Sequence, residues 1–147
     1  SGNIHQTLKD LASKYEYVIA DTAGRDSREL RTGMTVADVL ISPARPSQYD
    51  LDTLPHLAEV YSQAKDLNPK LAGYLVLNLC PTNPVIKEVA AAQEFLADYP
   101  EFKLANTLVY DRKAYRDAIS EGKSVLEWTD AKAKHEIEAL VGEIING

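Results

Sequence analysis

Residues 17–25, Tyr17-Val18-Ile19-Ala20-Asp21-Thr22-Ala23-Gly24-Arg25, deliver a carboxylate at the end of a short apolar run and follow it at once with a turn. A carboxylate so placed can hold a Mg²⁺ ion, or a water bound to it, beside a phosphate. Hard cations take oxygen ligands, and phosphoryl transfer is catalysed chiefly by positioning and charge. Asp21 is therefore the candidate metal-holding and catalytic residue. Thr22 and Gly24 are candidates for a switch that senses a terminal phosphate, although Gly24 also serves any tight turn. Arg25 reads equally as a phosphate contact or a solvated loop charge. Asp26, with Ser27, either helps to order an attacking water or caps a helix, since Glu29 three positions on completes a capping-box pattern. The loop that would cradle the phosphate, G-x-x-x-x-G-K-[ST], does not occur among the 147 residues.

The elements that must position these residues follow from hydrophobic spacing. Ile4, Leu8, Leu11 and Ala12 recur at helical intervals over residues 4–14. Tyr17–Ala20 reads as a short strand, and a helix carrying Leu30 and Met34 starts near Asp26. Val39-Leu40-Ile41 is the next strand, stopped by Pro43 and Pro46. A turn at 47–50 leads into a helix to about Asp66. Leu71–Leu79 is a strongly apolar strand, and Pro84 suits the first turn of a helix reaching about Leu96. Leu104–Val109 is a fourth strand. A short helix around Tyr115 is closed by Gly122, and the last helix spans about Asp130–Ile145. Strands that alternate with helices and are apolar on both faces indicate an α/β fold, a parallel sheet flanked by helices, in a single domain over 1–147. Ligands of such sheets sit at the carboxyl ends of the strands. Here those ends are 21–24, Ser42–Ala44, Asn78–Pro81 and Tyr110–Arg112.

Composition narrows the function classes. An apolar share of 45% supports a real core, and a net charge of −6 argues against coating nucleic acid by bulk electrostatics. The single cysteine, Cys80, excludes an internal disulfide and any multi-cysteine metal site, and its apolar setting fits a small buried hydrophobe. His5, His56 and His135 lack metal-ligand spacing. Trp128, after Val125 and Leu126, reads as packing. No apolar run is long enough for a membrane span, and a cytosolic protein is the expectation.

The order of motifs resembles one family. Asp21-Thr22-Ala23-Gly24-Arg25-Asp26-Ser27-Arg28-Glu29-Leu30 looks like the Walker B and switch region of ParA/MinD-type partition ATPases. Ala37-Asp38-Val39-Leu40-Ile41-Ser42-Pro43 and then Pro46-Ser47-Gln48-Tyr49-Asp50-Leu51 follow as in that family. Asp111-Arg112-Lys113-Ala114-Tyr115-Arg116-Asp117-Ala118 with Gly122-Lys123-Ser124-Val125 resembles its closing segment. The resemblance covers nearly the whole chain but only the later two-thirds of a family member. The first strand and the deviant Walker A loop are missing, so the expectation is a P-loop NTPase-like fragment of the SIMIBI class. In the family the phosphate-loop strand lies between the strands that would be 17–20 and 39–41. That gap is expected to be closed by strand pairing, by another chain or by an N-terminal piece.

The resemblance implies a complete protein that binds ATP/ADP and Mg²⁺, forms a homodimer, binds DNA without sequence preference and hydrolyses ATP slowly. A ParB-like centromere-binding partner would stimulate that hydrolysis on the nucleoid, in the cytoplasm. It assigns base contacts to Asn78 and Asp111, although Asn78 also suits a turn. It assigns DNA contacts to the basic residues Arg112, Lys113, Arg116 and Lys123, which read otherwise as a solvated helix face. The chain alone is expected to bind no nucleotide tightly and to be inactive. The alternatives are a non-enzymatic interaction module or inhibitor derived from such an ATPase, and a related class member acting in septum placement, conjugation or metabolite chemistry.

Overall fold

A computed structural model describes residues 3–23, 26–83 and 87–146, with the backbone alone at Tyr49. Gly24, Arg25 and Pro84, singled out in the sequence, lie outside the described residues. In chain order the elements are α1 (His5–Ala12), α2 (Arg28–Met34), β1 (Val39–Ala44), α3 (Gln48–Leu51), α4 (Leu54–Leu67), β2 (Ala72–Leu77), α5 (Glu88–Leu96), β3 (Lys103–Leu104), α6 (Lys113–Ser120) and α7 (Ala131–Asn146), with a 3₁₀ turn at Val125–Glu127. The strands form one parallel sheet in the order β1-β2-β3, so the expected α/β class holds. Tyr74 pairs with Lys103 and Leu75 with Leu104. The N–H of Ala72 donates to Asp38 and that of Asn78 to Ala44, both at 2.9 Å, which carries the same parallel register from β1 to β2.

The chain forms two compact units, residues 1–40 with 53–73 and residues 41–52 with 74–147. In the first, Met34, Leu54, Val60, Tyr61, Ala64 and Leu71 are buried. α1 lies against α2 at Gly33, where a Cβ would meet the Ile4 side chain at 3.3 Å. Asn68, just past α4, donates to the carbonyls of Met34 at 2.9 Å and Ala37 at 2.7 Å, satisfying groups left open where α2 ends. In the second unit β2 is the buried spine, with Tyr74, Leu75, Val76, Leu77 and Cys80 all out of solvent. α7 covers Val76, Ala105 and Val109 through Leu140, while Ala133 and Ile137 pack with Ala114, Val125 and Trp128. Trp128 is thus a packing residue, as expected. Gly122 adopts φ 65°, and the Lys123 N–H closes α6 by donating to Ala118 at 2.9 Å.

Several sequence expectations need correction. Tyr17–Ala20 forms no strand: Tyr17 is 62% and Ile19 93% exposed, so this segment has neither a ladder neighbour nor a buried face. An apolar run becomes a strand only where another strand takes its backbone groups. Among the described residues no strand pairing closes the gap, and β1 stands at the edge of the sheet with Val39 and Ile41 exposed. β1 also runs through Pro43 to Ala44, because an edge strand tolerates the missing N–H. The turn expected at 47–50 is the short helix α3. The strand expected at 104–109 is broken. Ala105 and Val109 keep ladder bonds to Leu75 and Leu77 at 2.9 and 3.0 Å. Between them the N–H groups of Asn106 and Thr107 turn to the Glu143 carboxylate, at 2.6 and 3.1 Å. Finally, α2 is capped by Ser27, whose Oγ accepts from the Leu30 N–H at 3.1 Å, and not by Asp26.

Candidate functional site

At the carboxyl end of β2 the chain turns through Asn78 and Leu79. Asn78 Oδ1 accepts from the Leu79 N–H at 2.9 Å, and Leu79 sits at φ 54°, a left-handed conformation that a branched side chain adopts at a cost. Cys80 then bridges to Tyr110: its N–H donates to Val109 at 3.0 Å, and the Asp111 N–H donates back to Cys80 at 2.9 Å. These backbone links bring the two strand ends together around a cavity of about 280 Å³. Asn78, Leu79, Asp111, Arg112, Tyr115 and Arg116 line it, with Val109 and Ile137 adding apolar wall. An amide, a carboxylate and two guanidiniums beside aliphatic surface can hold the edge and face of a planar polar ring. A second, shallower hollow of about 460 Å³ is lined by Tyr110, Arg112, Lys132, His135 and Glu136, so Arg112 is common to both.

Glu136 organises this region. It is buried on α7, 8% exposed, and its Oε1 receives Arg112 Nε and Nη2, each at 2.6 Å. Its Oε2 receives the Tyr115 hydroxyl at 2.9 Å and the Tyr110 N–H at 3.3 Å. The Arg112 guanidinium also lies 5.2 Å from the centre of the Tyr110 ring. Burial, and then the bond to Glu136, push the Tyr115 hydroxyl pKa well above its ordinary value; the same carboxylate raises that of Arg112. Cys80 is fully buried, and burial with the nearby Glu136 charge pushes its thiol up to about 11. It is an inert core thiol, in keeping with its sequence setting.

The basic residues expected to meet DNA have separate settings. Arg112 spends its charge on Glu136. Arg116 pairs with Asp111 at 2.6 Å, and Lys113 with Asp117 at 3.2 Å along α6. Lys123 lies 5.9 Å from the Trp128 ring centre. Lys113, Arg116 and Lys123 are all exposed.

In the first unit Asp21 is exposed and Thr22 half-buried, on a stretch without regular structure. Asp26 is tied down: Arg31 holds both its oxygens, Nε to Oδ1 at 2.7 Å and Nη2 to Oδ2 at 2.8 Å, and His56 Nε2 lies 3.2 Å from Oδ2. The Arg31 bond is the main reason its carboxyl is held below the ordinary range. Arg31 in turn donates to Gln63 Oε1 at 2.8 Å.

Comparison with known proteins places the chain. A family model described as ATPase MipZ matches residues 1–68. ParA family protein MG470 of Mycoplasma genitalium is 32% identical over 76 residues, covering 52% of this chain and 28% of that protein. Maintenance of carboxysome distribution protein A of Halothiobacillus neapolitanus is 27% identical over 144 residues, covering 95% of this chain and 65% of that protein. The solved structure of apo McdA from Cyanthece superposes on 96% of this chain and 57% of its own, with a TM-score of 0.80 at 17% identity. The chain is thus similar in sequence to ParA-like ATPases and shares its fold with McdA. It spans between 28% and 65% of the length of these two sequence relatives.

Four of the sequence-selected residues, Asn78, Asp111, Arg112 and Arg116, share one cavity, while Lys113 and Lys123 do not line it. Asp21, Thr22 and Asp26 belong to the other unit. Sequence reasoning missed Glu136, Glu143 and the partners of Asp26. The stripe Ala133, Glu136, Ile137, Leu140, Glu143 carried the signal for the first two, since acidic residues at core-facing helical spacing demand buried partners.

Proposed function

We propose that this chain contributes the later portion of the nucleotide-handling core of a ParA-like ATPase, and that the complete protein binds ATP with Mg²⁺ and hydrolyses it to position a cargo. The cavity joining Asn78 and Asp111 at the end of β2 carries this reading. It lies where open parallel sheets take their ligands, and its amide, carboxylate and aliphatic walls suit an adenine ring. Asp21 would hold Mg²⁺ directly or through water, a task for which an exposed carboxylate is chemically fit. Thr22 and Gly24 would respond to the terminal phosphate. Asp26 would reach catalytic water only after leaving Arg31. Mg²⁺, when bound, supplies charge to the phosphate oxygens.

In the same reading the complete protein is a homodimer whose exposed Lys113, Arg116 and Lys123 meet DNA without sequence preference, placing it on the nucleoid, and whose turnover answers to a ParB-like partner. Arg112, the fourth basic residue of that set, would meet DNA only on leaving Glu136. No helix among the described residues is long and apolar enough to cross a membrane. A second reading is favoured by the relative named for carboxysome distribution, which matches 95% of this chain: the cargo is then a body other than a replicon.

Two measurements test the proposal. Titrating the isotope-labelled chain with millimolar ADP and Mg²⁺ is expected to move the amide signals of residues 78–80 and 109–112 most; signals unmoved there, or moved only elsewhere, would overturn the base site. In the complete protein Asp21→Ala is expected to abolish ATP turnover, while the 147-residue chain alone shows none. Asp21-dependent turnover by this chain alone would refute the division of labour.

A further inference from the structure

We propose that Glu136 is the positioning residue of the cavity at the end of β2, holding the Tyr110–Arg112 segment and Tyr115 in the arrangement that walls it. The inference rests on the reading of that cavity as the base site, and adds to it a residue on a distant helix. Four donor atoms from three residues converge on this one buried carboxylate. Two of those residues, Arg112 and Tyr115, line the cavity, and the third, Tyr110, is bridged to Cys80 immediately after Asn78 and Leu79. The carboxylate therefore fixes the main chain of one wall, the aromatic ring of another and the guanidinium between them.

Stability alone would not select an acid here. Glu136 shares its helix face with Ala133, Ile137 and Leu140, and well-packed apolar groups in place of both Glu136 and Arg112 would commonly match or exceed the ion pair in stability. A leucine could fill the space, but it could not orient Arg112 or hold the Tyr110 N–H. What the carboxylate supplies beyond packing is direction, the property a ring-binding wall needs.

Cys80, the sole cysteine, reports whether the wall stays shut. It is fully buried, so a thiol reagent reaches it only when the Cys80–Tyr110 bridge opens. The test compares the wild-type chain with Glu136→Leu and Glu136→Gln, following Cys80 labelling, the amide shifts caused by millimolar ADP with Mg²⁺, and the thermal midpoint. Glu136→Leu is expected to stay folded, to label Cys80 about tenfold faster or more, and to bind ADP about tenfold more weakly. Labelling and ADP response equal to wild type in either folded variant would overturn the proposal. Should both variants fail to fold, Tyr115→Phe removes one donor without touching charge. Faster labelling then supports the role, and an unchanged rate overturns it. If ADP moves no signal near Asn78 even in the wild type while the variants still open Cys80, the base-site reading fails and the positioning role stands.

Discussion

Asp26 and Glu136 are bonded by the same kinds of group in opposite settings. Each is a carboxylate gripped by an arginine through two nitrogens and touched by a further donor. Asp26 takes its arginine from five residues away, on the next helical turns, and the whole cluster faces water. Glu136 takes its partners from 21 to 26 residues away and is buried beneath these half-buried groups. An exposed local pair is screened, cheap to break and easy to exchange for another ligand. A buried pair cannot be broken without stranding a charge. On the proposed function, the contrast suits a switch segment that must move and a cavity wall that must not.

The largest test of the contrast is truncation. Glu136→Ala should lower unfolding free energy by about 3 kcal/mol in urea, because it leaves the Arg112 charge half-buried without its partner. Asp26→Ala should leave the urea midpoint unchanged within error. Equal losses would erase the distinction. Next comes Glu143, which accepts four bonds from Asn106 and Thr107. Glu143→Ala should cost about 2 kcal/mol and loosen the 106–108 segment, seen as faster amide exchange there. Burial pushes its carboxyl up but those bonds together outweigh it and hold the carboxyl below the ordinary range, so its contribution is present above the unfolded pKa of about 4.5 and is lost as pH falls through the lowered folded value. Cys80 works at the other end of the scale. Its thiol is raised, so its contribution is whole below its ordinary value near 9 and fades as pH climbs toward about 11. Cys80→Ala should flatten that alkaline loss in a pH series of urea midpoints. The smallest effect is Ser27→Ala, which removes the α2 cap for about 1 kcal/mol, read from the same unfolding curves.

The sheet's spine and its long flanking helices were legible because their signals are local. The apolar run 71–79, the spacing of α4 and α7, and the glycine after α6 each declare themselves within a few residues. Tyr17–Ala20 misled because an apolar run says that a segment wants a neighbour, not that it has one. The break in the strand expected at 104–109 was invisible because its cause, Glu143, lies 36 and 37 residues further on. At the candidate site, Asn78 and Asp111 were readable as strand ends, and the structure brings them to one cavity. Glu136 was not singled out, since a charge on a helix looks solvated until the other face of that helix is known. The capping role passed from Asp26 to Ser27 by one position, a shift that residue preference cannot resolve when adjacent residues both favour caps.

The open border of β1, with Val39 and Ile41 bare to water, has a practical consequence. Backbone donors and acceptors left in a row invite any extended chain to add itself there, and the readiest supplier in a concentrated solution is another copy of the same polypeptide. Light scattering over a dilution series should therefore find that the isolated chain grows sticky as it is concentrated, and charged substitutions at Val39 or Ile41 should keep it dispersed.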